Sequence, residues 1–138
     1  MKYYKKAKEI MDMDAVEFIG GVSESDIENA MRSLSVDFPE SYKAFLSDLG
    51  GGDVGGEIIF GITDDEEDVV KATQMERSQG LPENLVIIGF WNDTLVCLDT
   101  DRMDSGECPV VEVEDDYSVT EVIADTFGKF LYEYLDEE

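Results

Sequence analysis

The chain is expected to adopt an α+β fold: an antiparallel β-sheet meander with N-terminal helices and a C-terminal helix packed around it. Three observations predict this. Apolar residues recur at helical spacing through the first half, and β-branched runs separated by turn-formers occupy the middle. A last amphipathic stretch rich in aromatic residues closes the chain. With 138 residues, 43% of them apolar, one domain over 1–138 with a buried core is the simplest organisation. No Pro-rich or Gly/Ser-rich linker divides it, and no period of roughly 20 to 50 residues recurs.

The basic opening, residues 2–13, reads as a short helix. Ser25-Asp26-Ile27-Glu28 has capping-box spacing and starts a second, with Ile27, Ala30, Met31 and Leu34 on one face. Pro39 suits the first position of a third helix. Phe38, Tyr42, Phe45, Leu46 and Leu49 then follow at helical spacing until Gly50-Gly51-Gly52 stops it, as a flexible turn. Residues 57–61 read as a short strand. The acidic run Asp64 to Asp68 precedes Val69, Val70, Ala72 and Thr73, which places anions at the positive end of a helix dipole.

Leu85-Val86-Ile87-Ile88 is a buried-type strand, residues 91–94 a turn, and Leu95-Val96-Cys97-Leu98 a second strand. A loop over 101–106 leads to a third strand at 110–113. Ser118-Val119-Thr120-Glu121 has capping-box spacing again, and a helix is expected from there, its apolar face running Val119, Val122, Ile123, Phe127, Phe130, Leu131 and Tyr134. Gly128 interrupts that pattern.

Charge excludes several functions. Thirty-four Asp and Glu against ten Lys and Arg give a net charge of −24, and Lys2, Lys5, Lys6 and Lys8 hold much of the positive charge. Beyond them the surface is nearly all anionic, so phosphate-based nucleic-acid binding and anionic membranes are not expected partners. No apolar run approaches the roughly 20 residues of a membrane span, and Glu9, Asp12, Asp14 and Glu17 break any signal-peptide core. Two cysteines do not make a disulfide scaffold, so a reducing, cytoplasmic location is expected. The chain has no histidine, so Ser-His-Asp, Cys-His and histidine-bound zinc sites cannot be built.

The remaining chemical candidates are weak. Carboxylate pairs for acid/base work are not singled out among so many acids, and a solvated surface is the plainer reading. The loop from Asp99 to Glu107 offers oxygen ligands, but Met103 stands at the fifth EF-hand position and Val110 at the twelfth, so no calcium site is expected. Gly50 to Gly56 lacks the Lys-Ser or Lys-Thr of a phosphate loop. Cys97 reads as a small buried hydrophobe, with a cross-strand redox pair with Cys108 as the alternative. Trp91, beside a turn among acids, is either core packing at a strand end or an interface anchor. The acidity itself fits a surface that meets a basic partner, such as a nucleic-acid-processing protein.

Phe38-Pro39, Tyr42-Lys43 and Phe45-Leu46, followed by Gly50-Gly51-Gly52, resemble the LP-x-x-Y-K-x-F-L…GG signature of the SUKH superfamily, the SMI/KNR-type domain. The resemblance continues through Ile59-Phe60-Gly61, the stretch 81–88 and the terminal 123–131, and covers roughly residues 24 to 135. Residues 97–112 look most like the YobK-type bacterial branch. Phe38 replaces the usual Leu before Pro, and Trp91-Asn92-Asp93 stands where many members carry a Gly/Asp-rich turn. The resemblance implies a non-enzymatic immunity protein that neutralises a toxin domain, often a nuclease or deaminase. Eukaryotic relatives imply the alternative of a regulatory interaction scaffold. No catalytic residue, metal or cofactor is implied. A partner-binding surface is expected at Asp64, Asp65, Glu66, Glu67 and Asp68, at Trp91 and Asp93, and at Asp99, Asp101, Asp104, Asp115 and Asp116, with a cationic toxin as partner.

Overall fold

The apolar spacing predicts most of the helices and strands in order, and a computed structural model describes their packing for residues 2–13, 20–54, 56–64, 68–91 and 93–136. The elements are α1 (Lys2–Met13), α2 (Glu24–Leu34), α3 (Glu40–Asp48), β1 (Gly52–Val54), β2 (Glu57–Ile59), α4 (Val69–Arg77), β3 (Leu85–Trp91), β4 (Thr94–Asp99), β5 (Val110–Val113), β6 (Val119–Ala124) and α5 (Phe127–Asp136). β3 to β6 form an antiparallel meander in sequence order, and β1 and β2 form a separate hairpin. The α+β architecture is as expected.

The meander is apolar on both faces. On one, Val86, Ile88, Val96, Leu98 and Val110 meet the helices in the main core. On the other, Leu85, Ile87, Cys97, Val111 and Val113 join Leu81 in a smaller cluster. Strand alternation makes this division: Val96 and Leu98 point one way and Cys97 the other. In the main core Phe38, Tyr42, Phe45 and Phe127 make edge and stacked ring contacts 5.1–6.2 Å apart. The Tyr42 hydroxyl is satisfied by donating to the Phe60 carbonyl at 2.6 Å.

α1 buries Tyr4, Ala7 and Met11 against α5. Gly128 has its reason here: a Cβ on it would stand 3.0 Å from the Tyr4 backbone nitrogen, so the missing side chain lets the two helices close up.

α3 begins at Glu40, and Pro39, expected as its first residue, is instead the N-cap: its backbone is extended at ψ 152° and it has no side chain able to cap the helix. Glu107 caps it from a distant loop, its carboxylate accepting from the Ser41 N–H at 3.0 Å and the Ser41 hydroxyl at 2.6 Å. The Ser41 hydroxyl oxygen in turn accepts from the Gly128 N–H at 3.0 Å. One relay thus joins α3, the loop before β5 and the start of α5.

Several local expectations are corrected. α2 is capped by Ser23, whose Oγ accepts from the Asp26 N–H at 3.1 Å, and Ser25 lies inside the helix. The glycine run ends α3 but does not stay a turn: Gly52 enters β1 and pairs with Ile59. β2 ends at Ile59, because the Phe60 N–H donates to the Ile88 carbonyl on β3.

The largest correction is at 118–124, expected as helix and found as edge strand β6. Val119, Thr120, Val122 and Ile123 are β-branched and lose rotamer freedom in a helix, while β5 offers an unpaired edge. Ser118 caps no helix: its N–H and hydroxyl both donate to Asp116 Oδ1. The helix starts eight residues later, with Thr126 Oγ1 accepting from the Lys129 N–H at 3.0 Å.

Glu107→Ala is expected to lower unfolding free energy by about 2 kcal/mol in urea titration, from loss of a charged cap and an orphaned Ser41. A second expectation concerns alkali. Burial pushes the Cys97 and Cys108 thiols up to about 12, and lifts Tyr42 well above its ordinary value with help from Asp68. The fold keeps these groups protonated where the unfolded chain releases its protons, so they favour the fold fully below about pH 9 and progressively less above it. Urea midpoints should therefore fall between about pH 9 and 11, and folded protein should resist thiol reagents at about pH 8.

Candidate partner-binding surface

The outer edge of β3 is covered. Thr73 Oγ1 of α4 accepts from the Ile87 N–H at 3.0 Å, and Phe60 takes the Ile88 carbonyl. The register of β3 against β4 shifts between Ile87 and Gly89. This bulge leaves Phe90 on the same side as Ile87, where plain alternation from Ile87 would have turned it away.

Phe90 consequently stands in solvent, 55% exposed, across from Met75 of α4, 68% exposed. Between them lies an open groove of about 620 Å³ whose apolar lining includes Phe60, Ile87 and Leu95. Asp64 and Glu76 supply acid at its rim. Lys71 also lines it and donates to the Asp64 carbonyl at 2.7 Å. A large apolar pair is thus held in water beside carboxylates.

The acids expected at a binding surface are sorted by the fold. Asp68 is 6% exposed and caps α4, accepting from the Lys71 N–H at 2.9 Å and the Thr63 N–H at 3.1 Å. Asp99 is 8% exposed and accepts from Asn84 Nδ2 at 2.9 Å. Both are turned inward, because a cap and a strand-end contact use their oxygens. Asp65, Glu66 and Glu67 lie outside the described residues.

The exposed acids fall at two ends of the sheet. Asp93, in the β3–β4 turn, and Asp115 and Asp116, in the β5–β6 turn, share one end because the meander is antiparallel. Hydrogen bonds from Ser118 hold the Asp116 carboxyl below the usual range. Asp101 and Asp104 sit at the opposite end, where Asp37, Glu83 and Asp101 line a shallow polar hollow. Trp91 is half-buried, and its Nε1 donates to the Ile58 carbonyl at 3.1 Å. Phe90 and Met75 escaped the sequence reading, since neither a bulge nor the seat of α4 is written in spacing. Gly89 is the one local hint.

Part of the positive charge lies away from both groups of exposed acids. Lys6 stands over the rings of Tyr3 and Tyr132, and Lys129 over Tyr3, at 5.6–5.9 Å, on the α1–α5 side. Arg77 is used internally, donating to the carbonyls of Leu34 and Glu83. Cys97 and Cys108 are free thiols in different clusters on the two sides of the sheet, so the cross-strand redox pair is not formed. Among the described residues no group of three or more Cys, Asp or Glu is placed to hold a metal ion, and no helix is long and apolar enough to cross a membrane.

The fold is an α+β domain whose antiparallel meander packs on the main helical core and carries a solvent-facing apolar groove between α4 and the sheet. The chain belongs to the SUKH superfamily: a family model described as SUKH_5, SMI1-KNR4 cell-wall, matches residues 2–136. A crystal structure of a protein from Pseudomonas syringae pv. tomato has the same fold, with a TM-score of 0.71, 15% identity, and coverage of 96% of this chain and 98% of that one.

Asp68→Ala should lower stability by about 1–2 kcal/mol in urea titration, as expected for a lost cap. Asp64→Asn, Asp93→Asn and Asp101→Asn should each stay within about 0.5 kcal/mol of the parent.

Proposed function

We propose that this chain is a non-catalytic immunity protein that binds a cognate bacterial toxin domain and neutralises it by occupying its surface. The observation that carries this reading is the groove with Phe90 and Met75 standing in water, on a chain of net charge −24. Such a surface fits a partner that is itself basic, and a nuclease-type domain is basic because it must hold phosphates. Apolar anchors would supply central affinity, and the carboxylates speed of encounter and choice of partner. The likeness of residues 97–112 to the YobK-type branch supports a bacterial immunity role. A cytoplasmic location belongs to the same proposal and is supported by two buried, free cysteines.

A second reading, a regulatory interaction scaffold without a toxin, is favoured by the cell-wall description of the matching family model. Co-expression with candidate toxin domains separates the two. Immunity requires a stable complex that co-purifies and restores growth, whereas a scaffold gives neither.

Within the immunity reading, Phe90→Ala combined with Met75→Ala should weaken toxin binding at least about tenfold, with the urea midpoint unchanged, because both side chains are already in solvent. Undiminished binding by this double variant would place the interface elsewhere.

A further inference from the structure

On the helix-facing side of the sheet a second groove, of about 300 Å³, opens between the meander and α5. Its wall is aromatic. Trp91 lies with its ring centre 5.1 Å from that of Phe130 and 4.9 Å from that of Tyr134. The indole is fixed beforehand, since its Nε1 is tied to the Ile58 carbonyl at 3.1 Å and a Cβ on Gly89 would stand only 2.8 Å from that nitrogen. The groove's rim carries two carboxylates, Glu112 from β5 and Glu133 from α5, and no base lines it. Neither carboxylate has a hydrogen-bond or ion-pair partner among the described residues.

We propose that this groove receives the side chain of an arginine presented by a protein partner. Electron-rich ring faces attract a cation, and a planar guanidinium can also stack on an indole. Two carboxylates accept its N–H groups in pairs, which a neutral apolar side chain would leave desolvated and unpaired. The volume lies at the small end of ligand pockets, matching one side chain and not a cofactor. The partner's identity rests on the immunity reading. The chemistry of the groove does not.

Trp91 is the sole tryptophan, so its fluorescence reports directly on the site. The full chain is titrated with Nα-acetyl-arginine amide and with the neutral citrulline analogue at constant ionic strength. The arginine probe should give a saturable change with a dissociation constant on the order of 1 mM. The citrulline probe should give none. Glu112→Gln with Glu133→Gln should weaken the arginine probe at least about tenfold, while Glu83→Gln with Asp101→Asn, which removes equal charge elsewhere, leaves it unchanged. Equal binding of both probes, no saturable change, or equal weakening by the remote pair would each overturn the assignment; the last would reduce it to net charge. A toxin complex that forms although the arginine probe does not bind would leave the immunity reading standing and remove this one. Probe binding in a chain that rescues no toxin would do the reverse.

Discussion

The relay from Glu107 to Ser41 to Gly128 fixes how the helices sit on the sheet. The N-cap of α3 is a proline that offers no side-chain bond, so the first turn takes an anion from elsewhere. Glu107 brings that anion from the loop between β4 and β5, and the same serine orients the first turn of α5. Because α5 is set there, Phe130 and Tyr134 reach Trp91, and α1 lies close across Gly128. A loop whose acids resemble ion ligands in sequence thus works instead as an internal clamp.

The groove beside Phe90 follows from how the sheet is finished at the β3 edge. β3 is closed off by Thr73 and Phe60, and the register shift beside them turns Phe90 outward. β6 is left as the outer strand of the meander, with Val119 and Val122 exposed and two register shifts along it. Bulges and a charged residue, Glu121, make such an edge a poor template for uncontrolled pairing. A net charge of −24 opposes self-association further, so apolar exposure on this molecule is tolerable where a neutral protein would aggregate.

Much of the fold is legible from spacing. The faces of α2 and α3, the strands at 85–88, 95–98 and 110–113, and the stop at Gly50 all follow from periodicity and turn chemistry. What is not legible depends on tertiary context. Residues 119–123 satisfy a helical face as well as a strand, and only the open edge of β5 decides between them. Ser25 and Ser23 both stand before the same apolar run, and the cap goes to the earlier one. Among the acids, sequence cannot separate Asp68 and Asp99, drawn inward as hydrogen-bond acceptors, from Asp64, Asp93 and Asp101 in solvent. Charge type is written in the chain; its direction is set by packing.

The proposed recognition rests on attraction between an anionic surface and a basic partner. It is tested most directly by stopped-flow association with a cognate toxin domain across ionic strength. Between about 50 and 500 mM salt the association rate should fall at least about tenfold while dissociation changes little. An association rate indifferent to salt would contradict it.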